Sequence, residues 1–124
     1  MAFHIGDTHF NHTNIIKYCD RPFNNVGEME YHIVENWNRV VGKGDIVYHH
    51  GDFALNLTQE KVIDLVSRLN GKIILIQGNH DRKGVNWFKE CGFYDVIRKR
   101  IYLNNYILTH KPLDIIDIPE GYIN

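Results

Sequence analysis

An α/β fold, in which helices pack on a largely parallel sheet, is predicted by two features of this 124-residue sequence. Short apolar runs rich in β-branched residues alternate with segments of helical periodicity, which is the order expected of a layered α/β protein. No linker, repeat or low-complexity tract interrupts that alternation, and the length suits one domain. We therefore expect a single domain over residues 1–124.

The strands of this domain are predicted from the apolar runs and from the turn residues that bound them. The predicted strands are 2–5, 45–50, 72–77, 95–103 and 106–110. Segment 72–77 is the clearest, because a continuous run of β-branched residues is typical of a strand buried on both faces. The last two strands are expected to form a hairpin, since asparagine at Asn104 and Asn105 tolerates the left-handed backbone of a tight turn.

The helices are predicted from periodicity and from capping residues. They comprise a short helix through Tyr18, a helix over 26–41, a helix from Thr58 to Asn70-Gly71, and a short helix over 85–90. Asn25 with Glu28 three residues later matches a capping box and sets the start of the second helix. Met29, Ile33 and Trp37 recur at helical spacing, so that helix should present one apolar face to the sheet.

The composition excludes some classes of protein. Hydrophobic residues make up 44% of the chain, which is enough for a packed core. The net charge of −1 gives no electrostatic footprint for a large nucleic-acid surface. Residues 98–100, Arg-Lys-Arg, are interpreted as a solvated face, because most short charge runs are solvated.

Cysteine usage and the lack of long apolar runs indicate the cellular compartment in which the protein is expected. Cys19 and Cys91 lie far apart and match no zinc spacing, so we expect two reduced thiols, with one long-range disulfide as the alternative. No apolar run approaches the roughly 20 residues of a membrane helix, and the N-terminus does not resemble a signal peptide. We therefore expect a cytoplasmic protein with no membrane partner.

Potential metal-binding side chains follow four of the predicted strands. The four motifs are Asp7-Thr8-His9, Gly51-Asp52, Gly78-Asn79-His80-Asp81 and Thr109-His110. In layered α/β sheets, ligands collect outside the carboxyl ends of the strands, so the motifs predict one shared site. Oxygen and imidazole ligands brought together there suit a hard or borderline divalent cation, and two cations more than one.

The first two motifs could each hold a cation or merely form a turn. Asp7 and His9 are two residues apart, so just past a strand both can reach one ion. Gly51 lets the backbone turn without a side chain in the way, and Asp52 can offer one oxygen to each of two cations. In isolation, each motif is also typical of ordinary turn chemistry.

The third motif is the most specific. Asn79 supplies an amide oxygen that a hard cation accepts. His80 should point differently from its neighbour Asn79 and not bind the same ion. Asp81 could accept a hydrogen bond from one ring nitrogen of His80, which suits a general acid for a departing alkoxide. The alternative is a polar turn. His110 alone would be a structural histidine, and only the other motifs make it a candidate ligand.

Three histidines and an arginine near these motifs have weaker assignments. His12 follows the first motif and is a candidate for substrate contact. Arg21 could fork onto a phosphate oxygen, with a surface salt bridge as the equal alternative. His49 and His50 precede Gly51 and are expected to pack between layers rather than bind metal.

The ordered set of Asp-x-His, Gly-Asp, Gly-Asn-His-Asp and a later His closely resembles the calcineurin-like metallophosphoesterases. Gly6-Asp7-Thr8-His9-Phe10 with Arg21-Pro22-Phe23 is similar to the small bacterial and phage branch of that family. The resemblance implies a metallophosphoesterase-type four-layer αββα sandwich. It also implies hydrolysis of a phosphomonoester or phosphodiester, with a small phosphate ester or a nucleotide as substrate.

The resemblance further implies roles for individual residues. Asp7, His9 and Asp52 would hold one metal, and Asp52 would bridge to a second metal bound also by Asn79 and His110. His80 would protonate the leaving group with Asp81 behind it, and the nucleophile would be a water or hydroxide between the metals. Mn²⁺ is the first expectation for both ions, with Fe, Zn, Ni or Mg as alternatives.

The chain departs from the family pattern at one point. The pattern ends with Gly-His-x-His, whereas this sequence ends Gly121-Tyr122-Ile123-Asn124 and has no histidine after His110. We therefore expect a C-terminally incomplete domain whose second sheet is truncated, with an exposed edge that could pair with another copy. This departure motivates a second hypothesis, a catalytically weak or silent metal-binding interaction domain. A nucleic-acid partner is a third hypothesis, which the near-neutral charge does not favour.

Overall fold

The computed structural model describes residues 1–124 and contains six strands and four helices. The strands are β1 (Ala2–Ile5), β2 (Ile46–His49), β3 (Lys72–Ile76), β4 (Asp95–Ile97), β5 (Arg100–Leu103) and β6 (Tyr106–Thr109). The helices are α1 (Thr13–Tyr18), α2 (Val26–Val40), α3 (Gln59–Arg68) and α4 (Val85–Glu90), and a single 3-10 turn covers Ile115–Asp117. The predicted alternation of strands and helices is confirmed.

The main sheet is parallel and has the strand order β1-β2-β3-β4. Phe3 lies opposite Val47, and Val47 lies opposite Ile73, so the three strands are in close register. Because all four strands run the same way, their carboxyl ends meet at one edge. The loops that follow β1, β2 and β3 are therefore brought together at that edge.

The prediction of one strand over residues 95–103 was wrong. β4 pairs parallel with β3, whereas β5 pairs antiparallel with β6 in a separate two-stranded sheet. Arg98 and Lys99, both exposed, connect the two sheets, and the two halves of the predicted strand take different partner strands. The predicted hairpin is present, and Asn104 at its turn has the left-handed φ of +55°.

Side-chain caps set the starts of the two long helices. The Asn25 side chain accepts a hydrogen bond from the backbone N–H of Glu28 at 2.8 Å, and the Glu28 carboxylate accepts one from Asn24 at 3.1 Å. Thr58 caps α3 by accepting from the backbone N–H of Lys61 at 3.4 Å. Such caps satisfy amide donors that the first helical turn leaves free.

The hydrophobic core lies between the main sheet and its helices. Val47, Ile73 and Leu75 of the strands are almost fully buried. The helices contribute residues such as Trp37 and Val62 to the same apolar cluster. Burial of each such side chain stabilises the fold by about 1.5–3 kcal/mol, which holds the strand ends in place beneath the loops.

Phe10 and Phe53 anchor two of the loops at the strand ends. Both side chains are fully buried, and their ring centroids lie 5.1 Å apart. Phe10 also forms a parallel bridge with Ala54, so the chains continue side by side past the ends of β1 and β2. The loops that carry the first two sequence motifs are thus anchored to the hydrophobic core.

Three further observations concern the second sheet, the cysteines and the helices. Ile123 forms a parallel bridge to Tyr106, which places a third segment of the chain beside the two-stranded sheet. Cys19 is exposed, Cys91 is buried, and both are free thiols. None of the helices has the length and apolar character that a membrane span requires.

Candidate metal centre

Paired backbone segments carry the side chains of the first two motifs. The N–H of Asp7 donates to Gly51 at 2.9 Å, and the N–H of His9 donates to Asp52 at 3.0 Å. Asp7, His9 and Asp52 have left-handed φ values of +53°, +51° and +55°. A non-glycine residue in that region costs about 1–3 kcal/mol, and such strain clusters at functional sites. The local backbone is therefore shaped to aim these side chains at one place.

The structure brings together the five side chains that were predicted to be metal ligands: Asp7, His9, Asp52, Asn79 and His110. Ligand atoms of Asp7, Asp52 and His110 lie within 4.8 Å of one another, and so do those of His9, Asp52 and His80. Asp52 belongs to both groups. Its Oδ2 lies 3.5 Å from His9 Nε2 and 3.3 Å from His110 Nε2. This carboxylate oxygen therefore lies between two imidazoles, where one ion could sit on either side.

The separations between these ligand atoms fit the shell of a divalent cation. His110 Nε2 lies 2.9 Å from Asn79 Oδ1, and His9 Nε2 lies 3.5 Å from Asp7 Oδ1. Ligands about 2.1 Å from an ion stand about 3.0–3.4 Å apart in octahedral or tetrahedral geometry. The residues present therefore fit a divalent metal in both donor type and spacing.

Hydrogen bonds prepare both imidazoles to bind through Nε2. His110 Nδ1 lies 2.8 Å from the carbonyl oxygen of His50, and since a carbonyl only accepts, Nδ1 carries the hydrogen. His9 Nδ1 lies 2.9 Å from His12 Nδ1, and desolvation by burial lowers the pKa of both of these rings. When His9 Nδ1 donates to His12, the lone pair of His9 Nε2 faces Asp7 and Asp52.

Comparison with known proteins decides the family. The model of the calcineurin-like phosphoesterase family matches residues 2–122. The chain belongs to the calcineurin-like phosphoesterase family. The predicted metallophosphoesterase-type α/β fold is confirmed by this match and by the structural likeness below.

Two similar proteins extend this assignment. An uncharacterized protein of Methanocaldococcus jannaschii is 54% identical over 109 residues, which are 87% of this chain and 57% of that protein. The crystal structure of a protein of unknown function from Aquifex aeolicus superposes with a TM-score of 0.72 at 28% identity, covering 94% of this chain and 63% of that one. The chain thus spans about three fifths of the length of either relative.

Asp81 does not pair with His80 in this phosphoesterase-family domain, so the predicted hydrogen bond between them was wrong. The Asp81 carboxylate accepts from the backbone N–H groups of Asp52, Phe53 and Gly78 at 2.7, 3.0 and 2.8 Å. Burial raises the pKa of Asp81, although these hydrogen bonds act in the opposite direction. Because its carboxylate accepts from three backbone N–H groups, Asp81 joins the loops after β2 and β3. It does not orient the imidazole of His80.

His80 lies at the candidate metal centre, and one of its ring nitrogens has no partner in the protein. Its Nδ1 is buried and has no hydrogen-bond partner in the protein. Its ring centroid lies 5.4 Å from that of His9 and 5.5 Å from that of His12. Its backbone N–H donates to Asp52 Oδ1 at 2.9 Å, which leaves Oδ2 facing the two imidazoles. A buried nitrogen without a partner is expected where a ligand completes the site.

Arg21 is engaged by backbone carbonyl groups. Its guanidinium donates to the carbonyl oxygens of Asp7 at 2.7 Å and Thr8 at 3.0 Å. These bonds use hydrogens of both terminal nitrogens, and Arg21 makes no salt bridge, which was the alternative to a phosphate clamp. The clamp itself stays a prediction. This contact holds the strained loop that carries Asp7 and His9.

His12 is also placed next to a candidate ligand. Its side chain is buried and bonds the ring of His9, so it contacts the site. Substrate contact by His12 stays a prediction. The spacing His9-x-x-His12 could have indicated a supporting role, because the chain turns into α1 between the two residues.

The close packing around Gly51 and Gly78 was not predicted from the sequence. Gly51 has φ of +105°, and a Cβ there would lie 2.6 Å from His110 Nδ1 and 2.7 Å from the backbone nitrogen of Gly78. A Cβ on Gly78 would in turn overlap Asp52. The sequence indicated a turn at Gly51, but the close approach of three loops depends on the tertiary structure.

Proposed function

We propose that this domain is a metal-dependent phosphoesterase that hydrolyses a phosphomonoester or phosphodiester. The observation that carries the proposal is the position of Asp52 Oδ2, 3.5 Å from His9 Nε2 and 3.3 Å from His110 Nε2. Two ions would be held by Asp7, His9, Asp52, Asn79 and His110, with Mn²⁺ as the first candidate. When bound, they would neutralise the phosphate charge and lower the pKa of the attacking water.

The residues of the chain would orient the ligands and supply a proton. The carbonyl of His50 fixes the ring of His110, and His12 supports that of His9. His80, whose Nδ1 has no partner, is the candidate general acid for the leaving oxygen.

A catalytically silent scaffold that binds metal is the second hypothesis. Asp7, His9, Asp52, Asn79 and His110 would hold the metal in either case, so their arrangement does not separate the two functions. Turnover is therefore the measurement that does.

The test is hydrolysis of bis(p-nitrophenyl) phosphate and p-nitrophenyl phosphate by the chain with Mn²⁺. His80→Ala should lower kcat by about 10²–10⁴-fold while calorimetry shows the same number of bound ions. His32→Ala is the matched control, because His32 is exposed on α2 and should leave kcat unchanged. Unaltered turnover in His80→Ala would reject the acid role, and full metal occupancy without turnover of either ester would support the silent scaffold.

A further inference from the structure

Six exposed cations surround the loop that carries Asn79 and His80. We call them the basic rim: Arg82, Lys83, Arg98, Lys99, Arg100 and Lys111. None of the six takes part in an ion pair, whereas Arg68 and Lys89 elsewhere on the surface do. The rim holds six of the 14 lysines and arginines of a chain whose net charge is only −1. The near-neutral total therefore conceals a strongly positive local surface.

Two open cavities connect the basic rim to the metal centre. One has a volume of about 410 Å³ and is lined by the candidate ligands Asn79 and His110 together with Lys99, Arg100 and Lys111. The other has a volume of about 430 Å³ and is lined by the remaining rim residues. Both cavities include Gln77, Gly78 and Lys99 in their walls, so they adjoin at these residues.

Very little negative charge offsets the rim in these cavities. Asp81 is the one acidic residue in either wall. Its carboxylate is buried and already accepts three backbone hydrogen bonds. The cations are therefore free to attract an anion from solvent.

An apolar cavity adjoins the other end of the rim. It has a volume of about 90 Å³, and its lining includes His80, Arg82 and Lys83. Its apolar wall includes Trp87, which is half-buried and whose ring lies 5.7 Å from Lys83 Nζ. An aromatic surface next to cations and next to the candidate acid suits a nucleobase attached to the reacting phosphate.

We propose that the basic rim binds the backbone of a single-stranded nucleic acid whose reacting phosphodiester lies at the metal centre. The proposal rests on the proposed phosphoesterase function. A lone phosphate ester would leave the six cations without a partner, whereas a strand places further phosphates along both basic cavities. The Trp87 cavity favours a nucleic acid over inorganic polyphosphate, which has no group to stack on an aromatic ring.

The chemistry of this substrate class is a balanced hydrolysis. The oxygen of water bonds to phosphorus, and the P–O bond to the leaving sugar oxygen breaks. That oxygen takes a proton from His80. The proton that the attacking water releases then returns His80 to its protonated form. The products are one strand end with a phosphomonoester and one with a hydroxyl.

Binding can be measured without catalysis. A fluorescein-labelled strand of about 12 nucleotides, as RNA and as DNA, is titrated with the chain in EDTA and followed by anisotropy. Arg98→Gln/Lys99→Gln/Arg100→Gln should weaken binding at least about tenfold at low salt. The slope of log affinity against log salt should fall by about 2, since each lost phosphate contact removes about 0.7.

A control variant that loses the same charge elsewhere on the surface separates binding by the basic rim from general electrostatic attraction. Arg39→Gln/Lys43→Gln/Lys61→Gln removes three exposed cations that line neither basic cavity, and it should bind within about twofold of the parent chain. Trp87→Leu should weaken binding to the normal strand about tenfold and leave binding to an abasic strand unchanged. Melting curves of each variant verify folding.

Several outcomes would overturn the proposal. They are parent-like affinity of the rim variant, an equal loss in the control variant, or binding of inorganic polyphosphate as tight as that of the strand. Rim-dependent strand binding without hydrolysis of any ester would reject the proposed function while supporting the rim. Ester hydrolysis without strand binding would support the proposed function and reject strand binding by the basic rim.

Discussion

His49 and Thr8, 41 residues apart in sequence, are joined by a buried contact of 3.0 Å between Nε2 and Oγ1. The Thr8 hydroxyl donates to the carbonyl oxygen of Phe53 at 2.8 Å, so it must accept the hydrogen of His49 Nε2. The backbone N–H of Gly51 donates to His49 Nδ1 at 3.1 Å. The ring is therefore a neutral connector between the loops after β1 and β2.

This connector predicts that the fold loses stability in mild acid. Burial lowers the pKa of His49 from 6.5 to about 3, so below pH 6.5 protons bind the unfolded chain preferentially. Its contribution is complete above about pH 6.5 and is lost as the pH falls towards 3. Between pH 7 and pH 5 the free energy of unfolding should fall by about 2 kcal/mol from this residue, as measured by urea titration in EDTA.

His49→Gln isolates that contribution from those of the other histidines. The variant should be less stable at pH 7, because glutamine fits the hydrogen bonds less well. Its loss between pH 7 and pH 5 should nevertheless be smaller than that of the parent by about 2 kcal/mol. Identical pH dependence in the two chains would show that His49 is not the group that titrates.

Close packing at the strand ends predicts that Gly51→Ala is disruptive. The left-handed φ of +105° and the overlap of a Cβ with His110 and Gly78 together should cost about 3 kcal/mol. Gly44→Ala is the matched control, because no atom lies within 4 Å of its Cβ position and its φ is not left-handed. Thermal unfolding should separate the two variants clearly, and equal melting temperatures would contradict the packing argument.

Arg21→Gln distinguishes a role in the loop from the predicted phosphate clamp. Loss of the hydrogen bonds to the carbonyl oxygens of Asp7 and Thr8 should weaken Mn²⁺ binding about 10–100-fold, with KM unchanged once the metal is saturating. Arg39→Gln, on the exposed face of α2, should change neither value. A raised KM with unaltered metal affinity would instead support the clamp.

Asp52→Asn tests whether one carboxylate serves two ions. Calorimetric titration with Mn²⁺ should show two bound ions in the parent chain and at most one in the variant, because Oδ2 faces both His9 and His110. Asp20→Asn is the control, since Asp20 is exposed and asparagine tolerates its φ of +49°. Two ions bound by Asp52→Asn would exclude the bridging position.

Local signals in the sequence were sufficient for much of the fold. The caps at Asn25 and Thr58, the apolar run of β3 and the asparagine turn at Asn104 were all predicted correctly, because each depends on neighbouring residues. The break between β4 and β5 was missed. Which partner strand each half takes depends on long-range pairing that no local pattern reports.

The order of the motifs likewise placed Asp7, His9, Asp52 and Asn79 at one edge of the main sheet, since its parallel strands carry their carboxyl ends to the same side. His110 follows β6 of the separate sheet, so its approach to Asn79 depends on how the two sheets pack. The direction of each side chain was not predictable. Asp81 turned towards three backbone amides and away from His80, because buried N–H groups must find acceptors wherever the fold leaves them.

By itself, the sequence determined the α/β class, the start of each long helix and the strand ends that carry the candidate ligands. The tertiary structure alone decided that Asp52 lies between His9 and His110 and that the Arg-Lys-Arg run of residues 98–100 lies beside the candidate metal centre. The physical reason is that periodicity and capping act over a few residues, whereas charge and coordination depend on distances in space. A net charge summed along the chain carries no information about where the charges meet.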